Sequence, residues 1–131
     1  MKTVYVTLLA TLLALSVACG YSAKSTAPVA GTIPAITQLA PDNMNAGSAA
    51  FVLTVNGTSF GSKAVVNFNG AAQTTTYVTA SQITASIPAS AVATAGAATV
   101  TVTNPGTTGT GLYGNGGTLP ETSTSVAFTI N

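Results

Sequence analysis

The chain has 131 residues and a formal net charge of +1, and charged residues make up only 4% of it, against about a quarter in average proteins. It has no Arg and no His; the charged residues are Lys2, Lys24, Lys63, Asp42 and Glu121. Without clustered Lys and Arg, there is no electrostatic basis for binding nucleic acid or for polybasic adhesion to anionic lipid. Disorder is excluded as well, because 47% of the residues are hydrophobic and disordered chains combine low hydrophobicity with high net charge.

The N-terminal segment has the features of an export signal. Met1-Lys2 is followed by the apolar stretch from Val4 to Ala18, which is shorter than the about 20 residues that a membrane-spanning helix needs. The pattern predicts a helical signal peptide over residues 1–18. Residues 19–32 are small and polar and predict a flexible tether between this signal and the rest of the chain.

The single cysteine, Cys19, lies directly after the predicted cleavage site. Leu15-Ser16-Val17-Ala18-Cys19 resembles the signal of bacterial lipoproteins, although that family usually has Leu where this chain has Ser16. The resemblance implies lipidation of Cys19 and a membrane anchor at the periplasmic or extracellular face of the cell envelope. Acylation would also remove an unpaired thiol from an oxidising compartment. The alternative is an incidental cysteine, because ordinary signal peptidase would cut the same bond.

Beyond the tether, residues 33–131 show strand patterns and no helix pattern. Apolar residues alternate with Thr, Ser, Asn and Gln in five segments, and a period of two places each set on one face of a strand. This is typical of half-buried antiparallel strands. The alternating sets are Phe51, Leu53 and Val55; Val66 and Phe68; Ile83, Ala85 and Ile87; Val100 and Val102; and Val126, Phe128 and Ile130.

Turn residues separate these segments. Asn69-Gly70 predicts a hairpin, because both residues tolerate positive φ. Breaks are also predicted at Asn56-Gly57, Pro88 and Asn104-Pro105-Gly106. About seven short strands predict an all-β fold, an antiparallel β-sandwich or small barrel. The predicted core comprises Ile36, Leu39, Phe51, Leu53, Val55, Phe60, Val66, Phe68, Tyr77, Ile83, Ile87, Val100, Val102, Val126, Phe128 and Ile130.

An ordered set of motifs carries a family resemblance. Residues 34–41 (PAITQLAP) open the set, followed by 51–61 (FVLTVNGTSFG), 66–70 (VNFNG), 100–106 (VTVTNPG) and 126–130 (VAFTI). This set resembles the IPT/TIG domain, and it implies an early-set immunoglobulin-like β-sandwich over residues 33–131. The resemblance also implies an interaction or spacer role without a family-wide active site.

The residues for catalysis are scarce. General acid–base chemistry needs a titratable group such as His, and the only carboxylates are Asp42, in a predicted turn, and Glu121. A metal site needs three or four ligands. We therefore expect no enzyme activity, no cofactor and no metal.

The segment from Gly106 to Ser123 is longer than the usual connection between the last two strands of the family. Loops on a rigid sandwich are common binding sites, and Leu112, Tyr113 and Asn115 offer an apolar flank, an aromatic ring and an amide that could contact a glycan or a protein. The alternative is a flexible loop that has no binding role, with Tyr113 packed on the sheet. The sequence thus predicts a lipid-anchored, non-catalytic module that binds an unknown protein or glycan, or else a self-associating structural subunit.

Overall fold

The computed structural model describes residues 27–109 and 116–131, which form two packed β-sheets. In this part of the chain a single 3-10 turn, Ala89–Val92, accompanies ten strands. In chain order the strands are β1 (Ala35–Ala40), β2 (Asn43–Met44), β3 (Phe51–Thr58), β4 (Val65–Phe68), β5 (Ala71–Ala72), β6 (Thr74–Thr79), β7 (Gln82–Ile87), β8 (Gly96–Asn104), β9 (Glu121–Thr122) and β10 (Val126–Ile130).

The first sheet has four antiparallel strands in the order β1–β3–β7–β6. On its outer face Thr54, Thr84 and Thr76 lie side by side on three neighbouring strands. None of its four strands contains a charged residue. The outer surface of this sheet is therefore neutral and rich in hydroxyl groups.

The second sheet has the order β2–β10–β8–β4–β5, and β9 pairs with the last residues of β8. Its pairs are antiparallel except for a two-residue parallel pair between β2 and β10. Ser123 lies between β9 and β10 and takes part in the ladder: its amide donates to the Val102 carbonyl (2.8 Å) and its Oγ accepts from the Val102 amide (3.0 Å). The hydroxyl thus replaces a backbone acceptor where the last strand is interrupted.

The core lies between the sheets, as the alternating pattern predicts. Phe128 is fully buried; it stacks on Phe51 of the opposite sheet at a centroid distance of 5.8 Å and meets Phe68 edge-on at 5.3 Å. Of the predicted core, Ile36, Phe51 and Val126 are half-buried at its margin. The remaining predicted core residues, apart from Tyr77, are buried.

The predicted all-β sandwich is confirmed, and seven of the strands in the described ranges have four or more residues. The predicted hairpin is also confirmed, because Asn69 (φ 50°) and Gly70 (φ 82°) form the turn between β4 and β5. The second strand of this hairpin, β5, has only two residues. After β5 the chain crosses to the first sheet at Gln73, whose amide donates to the Val66 carbonyl (2.8 Å).

Two local predictions are wrong. Asn56-Gly57 is not a break but part of β3. Glycine is needed at position 57 because a Cβ there would overlap the Ala35 carbonyl oxygen of β1. Tyr77 is not a core residue and remains 40% exposed. It lies on the edge strand β6 beside a register shift between Tyr77 and Thr79, so the sandwich covers only part of its ring.

Several sequence predictions lie outside the described residues: the signal peptide, Cys19, and the loop residues Leu112, Tyr113 and Asn115. They stay predictions. In the described ranges, no helix is long and apolar enough to span a bilayer.

Candidate functional site: a cleft at one end of the sandwich

An open cleft of about 690 Å³ lies at the end of the sandwich where β3 and β8 end and β1 and β4 begin. One wall is the β3–β4 loop, and the other is the first part of the long connection after β8. Thr32, from the segment before β1, completes the rim. The lining residues are Thr32, Ser59, Phe60, Gly61, Ser62, Lys63, Asn104, Pro105, Gly106, Thr107, Thr108 and Thr118.

Asn104, the last residue of β8, holds the three segments around the cleft together. Its Nδ2 donates to the carbonyl oxygens of Thr32 and Ser59, both at 2.8 Å, and its Oδ1 accepts from the Gly61 amide at 2.8 Å. The residue is only 9% exposed. Because every polar atom of this amide is used, the side chain can hold these segments in only one arrangement.

The β3–β4 loop begins with a strained residue, Ser59, whose carbonyl accepts a hydrogen bond from the Asn104 side chain. Ser59 has a φ of 61°, a left-handed conformation that costs on the order of 1 kcal/mol for a residue with a side chain. The next residue, Phe60, is buried, and its amide donates to the Ala80 carbonyl at 2.9 Å. The burial and backbone hydrogen bond of Phe60 and the side-chain hydrogen bonds of Asn104 therefore hold this wall of the cleft in place.

The long connection after β8 has an ordered stem. Thr107 and Thr118 exchange backbone hydrogen bonds (3.1 and 3.0 Å), and their hydroxyls lie 3.0 Å apart. Val29 joins from the N-terminal side: its amide donates to the Gly117 carbonyl and its carbonyl accepts from the Leu119 amide, both at 3.0 Å. Thr107 and Thr118 of the stem line the cleft, so these hydrogen bonds hold this part of its wall.

Charge is nearly absent from the cleft. Among its lining residues only Lys63, which is exposed, has an ionisable side chain. The two carboxylates lie apart: Glu121 begins β9 beside Asn104, whereas Asp42 follows β1 at the opposite end of the sandwich. In the described ranges no three His, Cys, Asp or Glu residues group as metal ligands. Apart from Lys63, the polar groups of the cleft are therefore hydroxyl, amide and backbone groups, and they lie beside apolar surface from residues such as Phe60 and Pro105.

The two-sheet fold and the cleft thus belong to a chain without cysteine in residues 33–131. The family model of the IPT/TIG domain matches residues 34–126. The chain belongs to the IPT/TIG family. In this IPT/TIG domain the matched region includes β1 to β9, both walls of the cleft and the long connection.

Other comparisons add little to the family assignment. No curated protein matches this IPT/TIG chain. One solved structure, titled "Putative phosphatase from Bacteroides thetaiotaomicron", is 21% identical with a TM-score of 0.47. The match covers 79% of this chain but only 20% of that protein, so the IPT/TIG chain spans about a fifth of its length.

The sequence of the IPT/TIG domain predicts binding candidates on the long loop and gives no indication of the cleft. As part of Asn104-Pro105-Gly106, Asn104 predicts a break, although it continues the inward-facing pattern of Val100 and Val102. A polar residue at an inward position of a strand needs buried hydrogen-bond partners, and that signal could have identified it. Lys63 carried no such signal, because the loop that positions it is defined by tertiary contacts.

Proposed function

We propose that this IPT/TIG chain is an exported, lipid-anchored and non-catalytic module of a bacterial cell envelope that binds a protein or glycan partner at the cleft. The fixed geometry of the cleft walls, set by the three hydrogen bonds of Asn104, is the observation that supports this most strongly. A preformed surface loses little conformational freedom on binding, which favours affinity. Hydroxyl and amide groups suit partners rich in hydroxyls or exposed backbone.

The binding proposal is tested with a soluble form of residues 25–131, which contains every buried core residue. Ser62→Trp places a large ring on the cleft lining, and Ser90→Trp makes the same change in the 3-10 turn at the other end of the sandwich. A glycan array and a panel of purified envelope proteins serve as the probes. We expect Ser62→Trp to weaken binding at least about tenfold, or 1.4 kcal/mol, and Ser90→Trp to leave it unchanged.

Two outcomes of that screen would count against the cleft. If both Trp variants bind a partner as tightly as the unchanged protein, the cleft is not the binding site. If the unchanged protein binds nothing on the glycan array or in the protein panel, the proposal that it is a binding module is wrong. Tyr113→Ala and Asn115→Ala test the loop prediction separately. Loss of binding in these two variants without loss of binding in Ser62→Trp would show that the partner contacts the loop and not the cleft.

The anchor is a separate part of the proposal and rests on the sequence around Cys19. Mass spectrometry of the mature N-terminus, after expression in a bacterium with its own signal, is the direct measurement. We expect a diacylglycerol-modified Cys19, and two or three acyl chains hold a protein firmly at about 0.8 kcal/mol per buried CH₂. A mature chain with an unmodified Cys19 would disprove the anchor and leave the cleft proposal intact.

A second candidate role is that of a self-associating surface subunit. The strands of the first sheet contain no charge, and Glu121 is the only charged residue in the strands of the second. Surfaces without charge repulsion favour association. This role needs a specific contact surface, and the sheet edges provide the candidates.

A further inference from the structure

The edges of the two sheets differ in how they are protected. Natural sheets protect their edges with proline, charge, bulges or very short strands. The edge strand β1 is bracketed by Pro34 and Pro41, and the edge strands β2 and β5 have two residues each. β6 is an edge strand of six residues with no proline and no charge, and its register shift affects only the end after Tyr77.

The backbone of β6 presents hydrogen-bonding groups on its free side. Opposed residues of an antiparallel pair alternate between bonded and non-bonded, and the Gly57 amide of β3 donates to the Ser81 carbonyl at 2.9 Å. Counting along β7 from this bonded pair, every second residue bonds to β3 and the residues between them bond to β6. By this count, the backbone groups of Thr76 bond to β7. The amide and carbonyl groups of Thr75 and Tyr77 are then directed away from the sheet. In the described ranges, no backbone partner outside the strand ladders is found for them.

We propose that β6 pairs antiparallel with β6 of a second copy of this chain, about a two-fold axis at Thr76. In this register Thr75 exchanges backbone hydrogen bonds with Tyr77 of the second copy, and Tyr77 with Thr75 of the second copy. The two four-stranded sheets become one continuous sheet. The contact rests on the second candidate role alone and is independent of what the cleft binds.

The side chains of β6 are compatible with this pairing. Thr76 faces outward, and at the axis it lies beside Thr76 of the second copy, where directly opposed Cβ atoms are about 4.5–5.5 Å apart. Tyr77 (40% exposed) and Val78 (48% exposed) are large apolar side chains next to the free edge. No charged residue on the four strands opposes the approach of an identical edge. Because the contact is a single short strand pair, we expect a weak dimer that forms in the upper micromolar range.

Charge substitution at the axis tests the pairing by sedimentation velocity of residues 25–131, from micromolar to near-millimolar protein. Thr76→Lys and Thr76→Glu each bring two like charges together in the dimer, which is destabilising for directly opposed residues. We expect each variant alone to be monomeric and their equimolar mixture to recover the dimer. Val52→Lys is the matched control, because Val52 is 60% exposed on the outer face of an interior strand of the same sheet.

The outcomes separate the alternatives. A wild-type chain that stays monomeric over the whole range overturns the proposal, as does a dimer that survives Thr76→Lys. Loss of the dimer in Val52→Lys would place the contact on the sheet face and also overturn it. Misfolding of a single variant is recognised by circular dichroism, and recovery in the mixture requires that both variants are folded. All these results leave the Ser62→Trp test unaffected.

Discussion

Asn104→Ala is the substitution that most directly tests how the cleft is held. It removes three hydrogen bonds of 2.8 Å from a side chain that is 9% exposed. At about 1 kcal/mol net for each bond, the expected loss is about 3 kcal/mol in the free energy of unfolding. All three hydrogen bonds are only part-buried, so the larger cost of fully dry, unpaired groups does not apply. The loss is still a large part of the about 5–15 kcal/mol that stabilises a domain.

Urea unfolding of residues 25–131, followed by far-UV circular dichroism, measures this loss. Asn43→Ala is the matched control: its Nδ2 makes one exposed hydrogen bond to Asp42, at 2.7 Å, and we expect a change within about 0.5 kcal/mol. Asn104→Asp keeps the acceptor for Gly61 but places a carboxylate oxygen against two carbonyls, so it should destabilise at least as much as Ala. A loss below about 1 kcal/mol for Asn104→Ala, or full stability in Asn104→Asp, would refute the reasoning.

Three further substitutions probe the core, the strand contact and the interrupted last strand by the same urea titration. Phe128→Ala removes a fully buried ring and should cost about 3–5 kcal/mol; a smaller loss would mean that the two sheets close over the gap. Gly57→Ala drives a Cβ into the Ala35 carbonyl and should cost about 3 kcal/mol, at the upper end for overpacking, so a neutral result would contradict the contact. Ser123→Ala leaves the Val102 amide without its acceptor and should cost about 1–2 kcal/mol, whereas Ser123→Thr should keep part of the bond; equal losses in both would contradict this role of the hydroxyl.

The sequence predicts those features of the fold that depend on local pattern. Alternation alone identifies the inward faces of β3, β7 and β8, because burial of one face is the main stabilising contribution in a half-buried strand. The turn at Asn69-Gly70 is equally local, since its positive φ angles restrict the residue types. These features need no knowledge of which strands become neighbours.

Other features depend on tertiary partners and could not be read from the pattern. Gly57 has the sequence of a turn, but β1 approaches it so closely that only glycine fits within the strand. Gln73, where the chain changes sheets, has no distinctive signal, because its amide partner Val66 lies on another strand. The cleft likewise requires three distant segments, so the sequence predicts binding residues on the long loop but does not indicate the cleft.

The backbone pairing of Val29 has a mechanical consequence. Tension applied to the chain ahead of Val29 first loads its two hydrogen bonds to the stem and then the bond between the Asn104 amide and the Thr32 carbonyl. The core strands bear load only after these contacts rupture. Pulling on this end would thus loosen the rim of the cleft while the sandwich stays folded, which would make the proposed binding at the cleft sensitive to force.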